Sequence, residues 1–350
     1  MSEQHGESRE PQHGESREPR EIPTAFAIAE ALRIAMASDP NVILMGEDVA
    51  GGGRRPEGTE EIGGIMSVTR GLVTQFPNQV LDTPISEMGI LGTAVGAAVT
   101  GLRPVVELMF IDFLGTCLDP LLNQASKFRY MFGGKARIPL TVRTVTGAGM
   151  QAAAQHSQSL YWMTAGIPGL KTVIPSNAAD AKGLLLAAIR CDDPVIFCEP
   201  KGILFLSTDV PEGDYEVPIG KAKVVRAGSD VSLVGMGATV GMALQAAAEL
   251  ERDGISAEVL DLRSLAPLDE DAILATLART GRLVVVDEAT PRCGIASDVA
   301  ALCVDKGFDM LNAPVRRVTA AMCPVPFTRV LEEAYMPSSA RIVEAVRGLL

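Results

Sequence analysis

The stretch that most constrains the fold is Asp82–Arg103, DTPISEMGILGTAVGAAVTGLR. After Glu87 it contains no charged residue until Arg103, its last. Its small apolar residues predict a buried helix, with Ser86 at the N-cap and the serine hydroxyl accepting a first-turn N–H. Gly92 and Gly96 lie four residues apart, so another backbone can approach closely. The uncharged run is shorter than the ~20 apolar residues of a membrane span, which favours a contact between domains or subunits.

Glu87 is a lone carboxylate at the start of this helix, and two interpretations of it stay open. An acid in the first turn offsets the helix dipole, and such acids are common. Alternatively, a half-buried acid here would exchange a proton with a bound cofactor. The spacing alone does not decide between the two.

Length, charge and cysteine spacing narrow the class of protein. At 350 residues the chain is long enough for about two domains. Its formal charge of −12 argues against nucleic acid as a partner, because a phosphate backbone needs a basic surface. The six cysteines lack zinc-type spacing and no secretory signal is present, so we expect reduced thiols in a cytoplasmic protein with no membrane contact.

The order of the segments predicts two α/β domains after a disordered tail. Residues 1–21 contain QHGESREP twice and offer almost no apolar surface to bury. Strands alternating with helices predict parallel sheets in a larger domain over residues 22–200 and in a smaller one over residues 229–350. Residues 201–228 carry turn signals without periodicity and predict a linker.

Three further segments of the first predicted domain are relevant to a candidate ligand-binding site. Glu47 and Asp48 follow a short strand, where open α/β sheets place ligand contacts, but surface loops also carry such acids. A glycine-rich polar loop is expected over Gly51–Gly64. The periodicity of Asp112–Tyr130 predicts one long helix.

Gly235–Gly237, with Asp261 ending the next predicted strand, resembles a dinucleotide-binding turn. The third glycine of that fingerprint is replaced by Val240, whose branched side chain would obstruct packing of the helix on the strand. A tight strand-to-helix turn is therefore favoured. A stand-alone NAD-dependent dehydrogenase stays as a rival hypothesis.

His156 is the only histidine outside the repeated tail. A lone histidine is more often structural than catalytic. However, the small residues of Gly147–Ala154 lack the bulk to bury it, and its polar neighbours would present it to a cleft as a proton donor. Both interpretations stay open.

Four segments carry a specific resemblance to a known family: DTPISEMGILGTAVGAAVTGLRPVVELMFIDF, AAAQHSQS, IPGLKTVIPSNAADAKGLLLAAI and DLRSLAPLDED. From about Pro23 onwards, the chain resembles the β subunit of the thiamine-diphosphate-dependent dehydrogenase component of 2-oxo acid dehydrogenase complexes. ELMFIDF, LLNQASKFRYMFGGKA, DDPVIFCE and VVVDEATPRC are most similar to the acetoin dehydrogenase branch. The resemblance implies a transketolase-like pyrimidine-binding domain, with helices on both faces of a parallel sheet, and a smaller transketolase C-terminal α/β domain that adds subunit contacts.

The resemblance also implies roles for individual residues. Glu87 matches the glutamate that hydrogen-bonds the aminopyrimidine ring of thiamine diphosphate and activates the cofactor. Ile85 and Ile111 match positions that pack on the cofactor, and His156 matches the histidine that assists proton transfers of the substrate and the lipoyl group. The family's Gly-Asp-Gly motif for magnesium and diphosphate is absent here and lies on a separate α subunit, which implies a shared cofactor.

A structural potassium site of the family is a further expectation. The matching positions are Leu140, Ala188, Ile189, Cys191 and Asp193. Cysteine at position 191 removes a carboxylate, although a backbone carbonyl there could still bind the ion. The resemblance therefore leaves potassium open.

The implied function is that of an acetoin dehydrogenase β subunit in an α2β2 heterotetramer. With its α partner it would cleave acetoin oxidatively and pass the acetyl group to the lipoyl domain of an acyltransferase. The close alternative is the same chemistry on pyruvate or a branched-chain 2-oxo acid. A non-catalytic scaffold subunit is the rival from another class, and it would tolerate the loss of both Glu87 and His156.

Overall fold

The computed structural model describes residues 19–51, 63–64 and 66–350. Its strands are β1 (Glu21–Pro23), β2 (Val42–Gly46), β3 (Val80–Asp82), β4 (Arg103–Phe110), β5 (Thr141–Thr146), β6 (Lys171–Val173), β7 (Val195–Pro200), β8 (Ser207–Asp209), β9 (Lys223–Arg226), β10 (Val231–Gly235), β11 (Ala257–Asp261), β12 (Ser264–Ala266), β13 (Leu283–Asp287) and β14 (Arg316–Thr319). Its α-helices are α1 (Thr24–Ser38), α2 (Leu72–Gln75), α3 (Glu87–Val99), α4 (Ser126–Met131), α5 (Tyr161–Ala165), α6 (Ala178–Arg190), α7 (Ala238–Arg252), α8 (Glu270–Thr280), α9 (Ile295–Gly307), α10 (Arg329–Tyr335) and α11 (Ser339–Arg347).

Two mostly parallel sheets organise these elements, which confirms the predicted α/β fold. The first sheet has the strand order β12-β6-β7-β5-β4-β2-β3, and the second has the order β14-β13-β10-β11-β9. The antiparallel pairs in the two are β12 with β6 and β9 with β11. None of the helices in the described ranges is long and apolar enough to cross a membrane.

Both faces of the first sheet are covered by helices, because its central strands are apolar on both sides. Neighbouring residues Val105 and Val106 of β4 point to opposite faces and belong to two separate cores. Helices α1 and α6 pack in the core that contains Val105. Helix α3 packs in the core that contains Val106, which continues into the second sheet through residues such as Val285.

The single long helix predicted over Asp112–Tyr130 is wrong. The chain forms a 3₁₀ turn over Ile111–Thr116 and a π-helical segment over Pro120–Ala125 before α4 begins. The proline at the start of the second segment has no N–H to continue a helix, and the Asp119 carboxylate accepts a bond from Asn123 Nδ2 at 2.6 Å. The interruption leaves a tight turn at the carboxyl end of β4.

The predicted linker, residues 201–228, is not irregular throughout. It contains β8, which pairs with β1, and β9, which is an edge strand of the second sheet. Edge strands are half exposed and show no continuous apolar run, so periodicity does not reveal them. The domain division itself stays a prediction.

The end of the predicted tail is also ordered. Glu21 pairs with Asp209 between β1 and β8, and the Arg20 N–H donates to the Asp209 carboxylate at 2.8 Å. Residues 1–18 of the expected disordered tail lie outside the described residues, as does most of the Gly51–Gly64 loop.

A strand from the C-terminal half completes the first sheet. Ser264 and Ala266 of β12 pair with Val173 and Thr172 of β6. The sequence did not indicate this strand, because it is three residues long and follows β11 directly. The two halves of the chain therefore share one sheet as well as one core.

The Gly235–Gly237 turn is packed against the first half of the chain. A Cβ atom on Gly237, whose φ is +54°, would lie 2.9 Å from both Ile174 Cδ1 and Pro200 Cγ. Asp261 is buried, and its Oδ2 accepts a bond from the Ser176 hydroxyl at 2.5 Å. This packing favours the tight turn over the nucleotide-binding hypothesis.

Burial of Asp261 predicts a pH-dependent stability. Burial raises the pKa of this carboxyl from 3.8 to about 7, so the folded chain holds the proton more tightly than the unfolded chain. Its contribution to the free energy of unfolding is therefore lost as the pH rises through 7. We compare the free energy of unfolding of Asp261→Asn with that of wild type. We expect this difference to shift in favour of the variant by about 2 kcal/mol when the pH is raised from about 5.5 to about 8. The measurement is denaturant unfolding at both pH values, with Asp309→Asn, an exposed aspartate, as control; an equal difference at both would contradict it.

Candidate active site

Glu87 is the first residue of α3, and Ser86 stands at the N-cap as predicted. The expected side-chain cap is wrong, because the Ser86 hydroxyl makes no capping hydrogen bond. Its carbonyl oxygen accepts from Ile90 N at 2.9 Å, as in any first turn. The N–H groups at the positive end of the helix thus lack a serine cap beside Glu87.

The Glu87 carboxylate is half-buried and has spare capacity to accept hydrogen bonds. Among the described residues, its hydrogen bond is a long one of 3.4 Å from Thr116 Oγ1 to Oε2. An ionised carboxylate accepts several bonds. Burial raises the pKa of Glu47, and the charges of Asp48, Glu87 and Glu107 raise it further. The acids that follow β2 therefore lie within electrostatic reach of Glu87.

His156 packs against two aromatic rings that also contact each other. The Phe110 and Phe113 rings meet the imidazole edge to face, with centroids 4.9 and 5.4 Å away. The Lys201 ammonium donates a hydrogen bond to the His156 carbonyl oxygen and lies 4.8 Å from the centre of the Phe110 ring. The imidazole is half-buried rather than fully presented by a small-residue loop.

The 3₁₀ turn over Ile111–Thr116 links Glu87 to the His156 segment. At one end of the turn, the Asp112 carboxylate accepts bonds from Gln158 N and Nε2 at 3.2 and 2.9 Å. At the other end, Thr116 reaches Glu87. The turn was hidden from sequence analysis because its residues fit the periodicity of a longer helix.

The two isoleucines expected at the cofactor lie in different environments. Ile85 is 73% exposed just before α3, where a bound group can cover it. Ile111 is fully buried in the core, so its side chain offers no surface to a ligand. Phe113, two residues along the same motif, is half-buried beside His156, and this position escaped the sequence analysis. Its role at the cofactor site stays untested, like that of Ile85.

The five residues expected at a potassium site are close together, and several of their carbonyl oxygens already accept hydrogen bonds. Arg103 Nη1 donates to the Ile189 and Cys191 carbonyl oxygens at 3.2 Å each. The Asp193 carboxylate is paired with Lys171 at 2.9 Å and with Arg129. Leu140 and Ala188 accept backbone bonds from Val195 and Cys191, at 2.9 and 3.2 Å. Among the residues that the structure describes, no group of three or more His, Cys, Asp or Glu side chains is arranged to hold a metal ion.

A buried ion triad lies on the adjacent strands β4, β5 and β7 of the first sheet, and sequence analysis missed it. The Arg143 guanidinium lies 2.8 Å from the Glu107 carboxylate and 2.7 Å from that of Glu199. Burial raises the pKa of Glu199 to about 7, although the Arg143 charge lowers it. A cavity of about 10 Å³ adjoins the triad, which is room for about one water.

Comparison with known proteins identifies the class of this fold. The family model of the transketolase pyrimidine-binding domain matches residues 20–205, and that of the transketolase C-terminal domain matches residues 220–342. A solved structure titled a split gene transketolase, an inactive β4 tetramer, superposes with a TM-score of 0.74 at 23% identity, covering 94% of this chain and 98% of that one. The fold and the two domain models define a transketolase-type protein.

Curated relatives narrow the class further. The chain is 57% identical to the β subunit of the acetoin:2,6-dichlorophenolindophenol oxidoreductase of Bacillus subtilis, over 95% of this chain and 98% of the relative. It is 51% identical to the protein of that name from Cupriavidus necator, covering 94% and 97%. It is 42% identical to the pyruvate dehydrogenase E1 β subunit of Rickettsia felis, covering 93% and 98%. The chain belongs to this family of thiamine-diphosphate-dependent E1 β subunits, which confirms the resemblance.

Proposed function

We propose that this chain is the β subunit of an acetoin dehydrogenase that depends on thiamine diphosphate. The observation that carries the proposal is the identity of 57% and 51% to two acetoin oxidoreductase β subunits, against 42% to a pyruvate dehydrogenase β subunit. With an α subunit it would cleave acetoin, release acetaldehyde and pass an acetyl unit to an acceptor. The cytoplasm is the proposed compartment.

The residues around Glu87 fit the pyrimidine end of the cofactor. One carboxylate with spare hydrogen-bonding capacity among the described residues lies at a helix N-terminus, and Ile85 beside it is uncovered in this chain. An aminopyrimidine has a polar edge and apolar faces, which these groups complement. Thiamine diphosphate, when bound, supplies carbanion stabilisation for cleaving a bond next to a carbonyl. Glu87 would hold a proton at the ring nitrogen, and His156 would deliver one to the lipoyl sulfur that leaves as a thiolate when the acetyl unit is transferred.

An α partner follows from the subunit names of the relatives and from an open face of α3. Beyond the backbone of α3 itself, a Cβ atom on Gly92 or Gly96 would have no atom of the described residues within 4 Å. Met88 and Val99 on the same helix are both 46% exposed. We propose that a partner chain covers this face in an α2β2 heterotetramer. That assembly would also bring magnesium on the α subunit and the lipoyl-bearing acyltransferase, whereas potassium stays a prediction of the family resemblance.

Substrate choice is the direct test of the proposal. The purified α and β pair is assayed with acetoin, pyruvate and 2-oxoisovalerate, with reduction of 2,6-dichlorophenolindophenol as the readout. We expect kcat/KM to be highest for acetoin. Preference for pyruvate or 2-oxoisovalerate would replace acetoin by a 2-oxo acid while keeping the family chemistry.

Glu87→Gln tests the carboxylate. The amide is isosteric but cannot take up and return a proton, and such groups typically contribute ~10²–10⁴-fold to turnover. We expect the variant to assemble and to lose at least about two orders of magnitude in dye reduction. Glu344→Gln, an exposed glutamate of α11, is the control. Turnover within a few-fold of wild type, with the cofactor bound, would refute the assignment.

His156→Ala separates two half-reactions. Transfer to a lipoyl sulfur needs a proton delivered to a leaving thiolate, which suits an imidazole near neutral pH. We therefore expect measurable dye reduction in the variant and a much larger loss in reductive acetylation of the isolated lipoyl domain. Misfolding would lower both rates together. Equal losses in a well-folded variant would assign His156 to the common step, and wild-type rates in both would make it structural.

A further inference from the structure

The loop that leads to His156 has an unusual backbone. Gly147, Gly149, Gln151 and Ala153 have positive φ angles of 90°, 103°, 52° and 61°. For the two residues with side chains, Gln151 and Ala153, this left-handed conformation is sterically unfavourable. Such a loop persists only where other groups hold it.

Two buried glutamates from the C-terminal domain hold this loop through its backbone. Glu288 Oε1 accepts a hydrogen bond from Ala148 N at 2.6 Å. Glu332 Oε1 accepts from Gly149 N at 2.9 Å, and its Oε2 accepts from Gln151 N at 3.1 Å. The two glutamates are only 6% and 3% exposed. Their carboxylates therefore accept hydrogen bonds from backbone N–H groups of the loop, which the loop conformation turns away from the loop's own carbonyl oxygens.

The glutamate contact is close enough to dictate a residue of the loop. A Cβ atom on Gly147 would lie 2.6 Å from Glu288 Oε1. Together with its positive φ, this contact requires glycine at the position. The geometry of Gly147 and that of Glu288 are thus matched to each other.

The other flank of the His156 segment is held by the residue before Glu288. Tyr161 donates its hydroxyl proton to Asp287 Oδ1 at 2.5 Å. Asp287 is fixed in turn by Ala289 N at 2.9 Å and by Ala296 N, near the start of α9, at 3.0 Å. The end of β13 therefore holds the segment from Ala148 to Tyr161 on both sides of the histidine.

The same glutamates act on the group that holds the His156 carbonyl. Burial lowers the pKa of Lys201, and the charges of Asp112, Glu288 and Glu332 work against that effect. An ammonium donates a stronger hydrogen bond than a neutral amine. The acids thus support His156 through the loop and through Lys201.

We propose that Glu332 and Glu288 are positioning residues, which hold the loop so that the imidazole of His156 faces the catalytic site. This inference rests on the proposed role of His156 in proton delivery. It gives the C-terminal domain a part in the active site beyond subunit contacts. Neither carboxylate is proposed to touch the substrate.

The test uses Glu332→Ala and the milder Glu332→Gln in the full chain assembled with its α partner. Glu333→Gln is the matched control, because Glu333 is the next residue of α10 and forms an exposed pair with Arg329. Hydrogen exchange of the amides from Ala148 to His156 is measured without substrate. We expect faster exchange in Glu332→Ala, a smaller increase in Glu332→Gln and none in the control.

Kinetics then distinguish positioning from general stability. We expect Glu332→Ala to lower lipoyl acetylation about tenfold or more, and dye reduction by less, as a displaced catalytic group would. In a His156→Ala background, the same change should cost no more than about twofold, because the two residues act through one group. The proposal would be overturned if the rate losses caused by Glu332→Ala and His156→Ala were fully additive. It would also be overturned if a Glu332 variant kept wild-type hydrogen exchange in the loop while its melting temperature fell.

The two hypotheses fail in different ways. If His156→Ala alone lowers both rates equally, the proton-delivery role of His156 fails, whatever the loop does. If His156→Ala behaves as expected but both Glu332 variants keep wild-type exchange and rates, the positioning role fails. Glu332→Gln keeps the second outcome measurable should Glu332→Ala not fold.

Discussion

The structure depends on a buried carboxylate, Asp287, at the boundary between the two domains. It accepts hydrogen bonds from the Tyr161 hydroxyl and from two backbone N–H groups, one of them at the start of α9. Burial raises the pKa of Asp287, while these donors stabilise its ionised form. Removing the acceptor would leave buried donors unpaired, at about 1–3 kcal/mol each. The segment that contains His156 and Tyr161 is thus joined to the second sheet by this side chain.

Three buried acids lie at the carboxyl ends of strands in the two sheets. Glu199 is held by Arg143, Glu288 by Ala148 N and Asp261 by Ser176, and burial raises the pKa of each of these three acids to about 7. Acids of this kind cost stability when they ionise, and they persist where geometry needs an acceptor. Two of them link the domains, because Ala148 and Ser176 belong to the first one.

The overall fold could be predicted well because periodicity and resemblance agree. Helices α1 and α6 belong to the alternation that predicts this fold, since both carry an apolar stripe ended by polar residues. The short strands β3, β8 and β12 could not be predicted, because three residues carry no measurable alternation. Glu87 and His156 were found as unusual residues in distinctive surroundings. Glu332 was not, because an acid in a short amphipathic helix looks like any surface acid until the fold turns it inward.

Completion of the first sheet by β12 has a consequence for biosynthesis. The β6 edge has no partner until the chain has been made as far as Ala266, well past the last residue of the pyrimidine-binding match. An unpaired edge strand is a template for pairing with other chains. A nascent or truncated product that ends before β12 would therefore expose that edge to aggregation. Splitting this gene at the domain boundary would separate the first sheet from its own last strand.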